Sequence, residues 1–441
     1  MALRKAATAS VQFAATRART PRLYSLWASP AAGGWRRSST AGVLGSAMAA
    51  HGLATTATVA RARARVNRIT VRLDYDVMKI TRIETIVLTL PLSFDGATPM
   101  LGGRPRTSID MLLVRVETDA GITGWGEAFG HRIFHATRAA VDTLLGPLCV
   151  GRDPGEILAI NDDLQRLLHG VGRCGPTMYA LSGIDIALWD IAGKVAGLPL
   201  YRLLGGSARA DLPAYASLLR YGTAEAVAHY TEQALGRGYR HLKLHEITVP
   251  EVRAAREVAG PGLPIMLDTN CPWTVPQAVE MARRLTAFEL HWLEEPVWPP
   301  ENLVGLAEVR ARGGIDVAAG ENYGTVWEFR RAFETGALSY AQPSVTKIGG
   351  VTEMRRVMTL AEAFGVTVVP HSAYFGPGLL ASIHCIAAMP TESLVERFYC
   401  DFGDNPLGDA VHPRQGRIAV PQGPGLGVDP DPRVLEKLRT G

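Results

Sequence analysis

Three short apolar runs each end in an acidic residue: IMLDTN (265–270), HWLEEP (291–296) and VAAGEN (317–322). The acids Asp268, Glu294 and Glu321 are separated by steps of 26 and 27 residues, and a helix-like stretch fills each gap. A parallel strand with its returning helix needs about 30 residues, so this repeat predicts three consecutive βα units. In closed (β/α) barrels the active site lies at the C-terminal ends of the strands, where we expect these side chains to meet.

The same spacing continues in both directions. Lys243, in HLKLHE (241–246), precedes the first acid by 25 residues. Ser344 follows the third acid by 23 residues, and His371 and Glu396 follow at further steps of 27 and 25. One polar side chain per unit over so many units predicts an α/β barrel domain at 206–398.

Two further parts of the chain flank this domain, as its length of 441 residues leads us to expect. Residues 78–205 begin with alternating apolar positions in MKITRIETIVLTLPL (78–92) and end with helical patterns, so they predict an α+β domain. The Pro/Gly-rich stretch 399–441 is expected to return to that first domain.

The basic character of the chain comes from its first 77 residues. Residues 1–77 hold 12 of the 46 Lys/Arg and two of the 42 Asp/Glu, which leaves 34 basic and 40 acidic residues in the remainder. The pI of about 8.8 is therefore no argument for nucleic-acid binding. We expect 1–77 to be disordered. It is either a mitochondrial transit peptide or the product of a start codon assigned too early, with Met78 as the true start. The protein is then mitochondrial in the first case and cytoplasmic in the second.

Two classes of protein are disfavoured by composition. No apolar run reaches the ~18–20 residues that a membrane span requires. The five cysteines are scattered without a CxxC pair, which fits a reducing compartment and offers no thiolate metal site.

The three spaced acids predict a metal site. Three carboxylates that converge repel one another unless a cation lies among them. Oxygen ligands without Cys or His favour Mg²⁺, with Mn²⁺ as the alternative. Glu295, beside Glu294, is expected to point away from the metal.

Several motifs together resemble the mandelate racemase/muconate lactonizing enzyme family of the enolase superfamily. The resemblance covers roughly 78–430 and is carried by VRVETDAGITGWGEA (114–128), SGIDIALWDIAGKVAGLPLYRLLGG (182–206), KIGGVTE (347–353), VVPH (368–371) and GPGLGV (423–428), with the spaced Lys and acids. It implies a capping domain over a modified (β/α)₈ barrel of the (β/α)₇β type. It also implies a Mg²⁺ ion on the three acids, abstraction of a proton alpha to a carboxylate, and a symmetric homo-oligomer.

The expected acid–base groups stand on the second and seventh barrel strands. A nearby cation and partial burial would lower the pKa of Lys243, which makes it the first candidate for the base. His245 shares its strand face, where many relatives have a second lysine, and would bind an oxyanion or tune Lys243. His371 lies across the barrel as acid or base. Ser344 departs from the family pattern, which has an aspartate or a lysine there, so the pKa of His371 should be lower than in a His–Asp dyad.

The remaining candidates are substrate contacts. Lys347 would add a charge near the site. On the eighth strand Glu396 is the candidate, although Tyr399 or Asp401 would hold that place in another register. The other predicted contacts are Asn270, Arg220 after the first barrel strand, and Arg104 and His131 in the loops 93–107 and 129–137. Arg106 and Arg132 in the same loops would help to read the distal end of the substrate.

The sequence therefore predicts Mg²⁺-dependent dehydration of an acid sugar, an aldonate or aldarate, to a 2-keto-3-deoxy product. The alternative is a racemase, epimerase or cycloisomerase that begins with the same proton abstraction. A third hypothesis, from another class, is a binding protein that keeps the metal but has lost turnover.

Overall fold

An antiparallel sheet opens the part of the chain that the computed structural model describes, which is residues 78–101 and 104–440. The predicted basic extension 1–77, with both of its interpretations, lies outside the described residues. The N-terminal strands are β1 (Ile80–Ser93), β2 (Met100–Leu101), β3 (Arg104–Pro105), β4 (Ser108–Thr118) and β5 (Thr123–Ala128).

Strands β1 and β4 are buried on both faces. Successive side chains of a strand point to opposite faces of the sheet. Val87 and Leu112 accordingly pack into the core beneath the N-terminal helices. Leu88 and Leu113, one residue further along each strand, pack into the core shared with the barrel. The sheet therefore lies between the N-terminal helices on one face and the barrel on the other.

Three α-helices cover the outer face of this sheet: α1 (Phe134–Ala139), α2 (Ile157–Leu167) and α3 (Pro176–Ala196). The short helix α4 (Leu200–Leu203) follows and packs into the core shared with the barrel. Pro176 stands in the first turn of α3, and Gly197 caps its end in the left-handed conformation with φ of +65°. Helix α3 lies directly against β5, where a Cβ at Gly126 would fall 1.9 Å from the carbonyl oxygen of Gly183. Glycine at this position permits the close approach.

Eight parallel strands alternate with seven helices over residues 211–398, all of which the structure describes. The strands are β6 (Asp211–Ser217), β7 (Leu242–Leu244), β8 (Ile265–Asp268), β9 (Trp292–Glu294), β10 (Val317–Ala319), β11 (Tyr340–Ala341), β12 (Thr367–Val368) and β13 (Val395–Phe398). The helices are α5 (Ala224–Gly236), α6 (Val249–Ala259), α7 (Val275–Leu285), α8 (Leu303–Gly313), α9 (Val326–Glu334), α10 (Gly350–Phe364) and α11 (Pro377–Ala387).

The strands form a ring with β13 beside β6 and β12 at the other end of the ladder. Side chains join the two ends: the Ser393 hydroxyl donates to the carbonyl of Val368 at 2.9 Å, and the Ser372 hydroxyl donates to that of Glu396 at 3.0 Å. Tyr215, Met266 and Trp292 fill the interior. The predicted fold class, a (β/α)₇β barrel with an α+β capping domain, is confirmed.

The C-terminal segment adds strands both to the N-terminal sheet and to the barrel sheet. It contains β14 (Asp401–Phe402), β15 (Arg417–Ala419) and α12 (Pro432–Leu438). Strand β14 pairs with β1, and the amide of Thr440 donates to the carbonyl of Val87 at 3.0 Å. Among the described residues, no helix is both long enough and apolar enough to cross a membrane.

Candidate active site

Asp268, Glu294 and Glu321 converge at the C-terminal ends of neighbouring strands. One carboxylate oxygen of each lies within 4.8 Å of the others. Strands β8 and β9 are paired so that Asp268 stands opposite Glu294. Glu321 follows Gly320, which has φ of +125° and lies where a Cβ would come within 2.6 Å of the Phe329 ring. The local backbone therefore turns Glu321 toward the other two acids.

The chemistry of this trio fits a hard divalent cation. Asp268 Oδ2 is buried without an aligned hydrogen bond, although Lys243 Nζ and His245 Nε2 lie 3.5 and 3.2 Å away. A buried carboxylate oxygen without a partner is unfavourable. Carboxylate oxygens without nitrogen or sulfur ligands suit Mg²⁺ and similar ions.

Lys243 lies beneath the trio and is fully buried. Its ammonium contacts Glu396 Oε1 at 2.8 Å and Glu294 Oε1 at 3.0 Å. In the β7–β8 ladder Lys243 is paired with Met266, two residues before Asp268, so it belongs to a deeper layer of the barrel interior. Burial lowers the pKa of Lys243, but the carboxylates of Glu294 and Glu396 outweigh burial and raise the pKa well above its ordinary value. In this arrangement the ammonium of Lys243 is the buried partner of Glu294 and Glu396.

The carboxylates themselves have divergent pKa values. Burial raises the pKa of Glu294 to about 8, against the opposing effect of Lys243. Burial also raises the pKa of Glu321. The adjacent His371 and Lys347 outweigh the effect of burial and hold this pKa at about 2. Glu321 is thus ionised at neutral pH even without a metal.

His245 stands level with Asp268 and faces the cavity above the trio. Its Nδ1 lies 2.5 Å from the carbonyl oxygen of Leu218, and its Nε2 points to the acids. Arg220 braces this edge by donating to the carbonyls of His245 and Thr269. Asn270, in the left-handed conformation with φ of +53°, donates from Nδ2 to Asp268 Oδ1 at 2.9 Å.

His371 faces the same cavity from the other side of the barrel. Its Nε2 lies 3.3 Å from Glu321 Oε2, and its Nδ1 lies 3.3 Å from the hydroxyl of Ser344. Burial lowers the pKa of His371, although the carboxylates of Glu321 and Glu396 act to raise it. Ser344 is itself buried and also contacts the Tyr374 hydroxyl at 3.4 Å.

The capping domain closes a cavity of about 190 Å³ over these groups. Its loops contribute Phe129, His131 and Arg106 to the wall. The ammonium of Lys347 lies 4.3 Å from the centroid of the Phe129 ring and 3.5 Å from Glu321 Oε1. This volume is below the ~300–1,000 Å³ of pockets for drug-sized ligands, so it suits a small substrate.

The cavity includes nine of the residues predicted from the sequence: Arg106, His131, Arg220, His245, Asp268, Asn270, Glu321, Lys347 and His371. Three predicted substrate contacts lie outside its wall as the structure describes it. Arg104 is exposed on β3. Glu396 is paired with Tyr215 in the deeper layer, where it binds Lys243. Ser344 lies behind His371.

The wall also contains residues that were not predicted, and Phe398 is one of them. Phe398 lies two residues after Glu396 and takes the cavity position on β13. The strand was predicted, but the register that selects Phe398 over Glu396 was not. Arg106, which was predicted together with Arg104, lies in the wall.

Comparison with known proteins agrees with this architecture. The model of the mandelate racemase/muconate lactonizing enzyme N-terminal domain matches residues 103–205, and that of the enolase C-terminal domain-like family matches residues 225–434. A D-galactarolactone cycloisomerase from Agrobacterium fabrum is 33% identical over 383 residues, covering 82% of this chain and 99% of that protein. A D-galactonate dehydratase from Ralstonia nicotianae is 32% identical over 356 residues, covering 75% and 91%.

Solved structures show the same relationship. A racemase from Streptomyces coelicolor A3(2) with bound magnesium has a TM-score of 0.72 and 30% identity, covering 82% of this chain and all of that one. An L-talarate dehydratase from Polaromonas sp. JS666, complexed with Mg and L-glucarate, has a TM-score of 0.72 and 28% identity, covering 82% of this chain and 98% of that one.

The barrel, the cap and the carboxylate trio together define an enolase-type enzyme. The chain belongs to the mandelate racemase/muconate lactonizing enzyme family of that superfamily, whose relatives named here are lyases and isomerases.

Proposed function

We propose that this enzyme abstracts the proton alpha to the carboxylate of an acid sugar and eliminates the β-hydroxyl to give a 2-keto-3-deoxy acid. The observation that carries the proposal is the pairing of the buried carboxylate trio with two imidazoles that face one cavity from opposite strands. The dehydratase and cycloisomerase names of the relatives support the same class of substrate.

Asp268, Glu294 and Glu321 would hold one Mg²⁺ ion, for which Mn²⁺ would be a substitute. When bound, the ion would neutralise the negative charge that the substrate carboxylate gains as the α-proton leaves. The magnesium in two related structures supports this assignment.

His245 takes the α-proton in this proposal, in place of Lys243. A main-chain carbonyl only accepts hydrogen bonds, so the contact with Leu218 places a proton on Nδ1 of His245. The neutral ring then carries its lone pair on Nε2, which faces the cavity. Lys243 acts as a positioning residue, because its charge holds Glu294 and Glu396 in place from below.

His371 protonates the departing β-hydroxyl. His371 follows β12, on the opposite side of the barrel from His245. The two imidazoles can therefore reach opposite faces of a substrate that lies between them. A proton moves from the α-carbon to His245, a proton from His371 leaves with the hydroxyl as water, and the resulting enol becomes the 2-keto acid. Ser344 orients the imidazole of His371 without adding a charge.

Cycloisomerisation is the second candidate. Two cycloisomerases, from Agrobacterium fabrum and Streptomyces coelicolor, match over 99% and 100% of their own lengths. Their names refer to a lactone and to an anhydro sugar acid, so a sugar-acid lactone would be the substrate here. The same abstraction of the α-proton would then expel the ring oxygen instead of a hydroxyl, and the product would be an isomer of the substrate, formed without loss of water.

The test is a panel of monoacid and diacid sugars and their lactones, incubated with Mg²⁺ in D₂O and followed by ¹H NMR. A product that has lost one water supports dehydration, and an isomeric product formed from a lactone supports cycloisomerisation. Deuterated substrate without either product indicates a racemase. A panel in which no compound exchanges its α-proton would refute the proposal and favour a binding protein.

Assembly and location remain predictions. The family resemblance favours a homo-oligomer, which light scattering on purified protein would test. A cytoplasmic location, or the mitochondrial matrix if 1–77 is a transit peptide, would be tested by fractionation of the source cells.

A further inference from the structure

Arg106 forms the end of the cavity that the capping domain supplies. Its side chain is almost fully buried, with 9% exposure, and its guanidinium carbon lies 4.4 Å from the centroid of the Phe398 ring. Arg106 and His131 line the 190 Å³ cavity and also an adjoining cavity of 110 Å³. Their polar atoms are therefore positioned to contact a ligand that extends along the cavity from the carboxylate trio.

Arg106 lacks a counterion within the described part of the chain. Its contact there is the face of Phe398, and no carboxylate or carbonyl oxygen among the described residues pairs with its guanidinium. Burial lowers the pKa of Arg106 to about 10, so the group is still charged at neutral pH. His131 Nε2, beside it, is also buried without a hydrogen-bond partner. Two unpaired polar groups at one wall are unfavourable unless a ligand satisfies them.

The other cations on the cavity wall are already engaged. Arg220 donates to two main-chain carbonyls. Lys347 donates to Asn322 Oδ1 at 3.0 Å and lies near Glu321. Arg106 is therefore the cation of this wall that is available to a substrate group. A planar guanidinium binds a carboxylate through two parallel hydrogen bonds.

We propose that Arg106, with His131 beside it, binds a second carboxylate at the far end of the substrate, so that the enzyme prefers diacid sugars over the matching monoacids. The inference rests on the proposed function, since the first carboxylate is taken to lie at the trio.

The test compares matched substrates that differ in the terminal group, galactarate with galactonate and glucarate with gluconate. Both kcat/KM, from α-proton exchange, and Kd, from calorimetry with Mg²⁺ present, are measured. Of the two diacids, we take the one with the higher kcat/KM. For the wild type we expect its kcat/KM to exceed that of the matching monoacid by about 10- to 100-fold, which is the range of one charge-assisted contact. Arg106→Gln should remove this preference by lowering the diacid values at least about tenfold more than the monoacid values. Arg106→Lys should keep part of the preference.

Arg138→Gln is the matched control, because Arg138 lies on α1 of the same domain and pairs with Asp142 at the surface. It should retain the wild-type preference. A wild type that exchanges monoacids at least as well as diacids would overturn this inference and leave the proposed function intact, whether or not the Arg106 variants fold. An equal loss on both substrates in a folded Arg106→Gln protein would also overturn it. If the wild type exchanged the α-proton of none of these compounds, the proposed function would be refuted, and this inference with it.

Discussion

Replacing Lys243 by Met removes a buried positive charge and keeps a side chain of similar length. The ammonium lies 2.8 Å from Glu396, 3.0 Å from Glu294 and 3.5 Å from Asp268, and all four groups are at most 1% exposed. Removing one partner of a buried ion pair typically costs about 3–5 kcal/mol, because the remaining charge is left without compensation. We therefore expect the free energy of unfolding of the metal-free protein to fall by about this amount.

The measurement is urea denaturation in the presence of a chelator, followed by tryptophan fluorescence. The double variant Lys243→Met/Glu396→Gln should recover much of the loss, since the nearest unpaired carboxylate is then neutral. Lys437→Met is the control: Lys437 is 67% exposed and pairs with Asp404 at the surface, so its loss should cost less than about 1 kcal/mol.

A second property of the same variant separates a positioning cation from a base. The three acids remain, and a nearby positive charge is gone, so Lys243→Met should keep its divalent cation site. If Lys243→Met unfolded at the wild-type urea concentration and yet exchanged no α-proton, Lys243 would be the base and not a positioning residue.

Two further predictions concern the imidazoles and the contact between cap and barrel. His245→Gln and His371→Gln should each lower the rate on the best substrate by about 10²- to 10⁴-fold, which is the usual contribution of a general acid or base. The urea midpoint should change little. A wild-type rate in either variant would exclude that histidine as the acid or base. Burial raises the pKa of Glu127 to about 8, although the amide of Gly378 donates to it. Because the folded pKa is above the unfolded value, the stability that Glu127 contributes is present below about pH 4.5 and is lost as the pH rises through 8, by at most about 1.4 kcal/mol per pH unit. Glu127→Gln should flatten this decline in urea midpoints measured from pH 5 to 8, and an unchanged slope would contradict the assignment.

The spacing of acids along the chain was sufficient to predict which side chains meet. Parallel strands in a barrel align their C-terminal ends, so a repeat of 26 or 27 residues brings Asp268, Glu294 and Glu321 together whatever the detailed packing. The class of fold follows from the same repeat and was predicted correctly.

Roles that depend on strand register were not available from the sequence. Lys243 and His245 share a face of β7, and the pairing of Lys243 with Met266 decides that the lysine is deep and the histidine is level with the acids. The pairing of Glu396 with Tyr215 likewise leaves Phe398 at the cavity. A strand places alternate residues on one face but does not reveal its own shift relative to a neighbour.

Loop conformation limited the prediction of the distal end of the pocket. Arg104 and Arg106 are two residues apart and chemically identical. The stacking of Arg106 on Phe398, from a part of the chain nearly 300 residues away, turns that guanidinium inward. Such a contact is tertiary and leaves no local pattern.

Calorimetric titration of Mg²⁺ into chelator-treated protein reports on the carboxylate trio independently of the substrate. We predict binding of one ion per chain to the wild type, and loss of that binding in Asp268→Asn and in Glu321→Gln. Binding to Asp268→Asn that equals the wild type, or no binding to the wild type, would contradict the assignment of Asp268, Glu294 and Glu321 as the metal ligands.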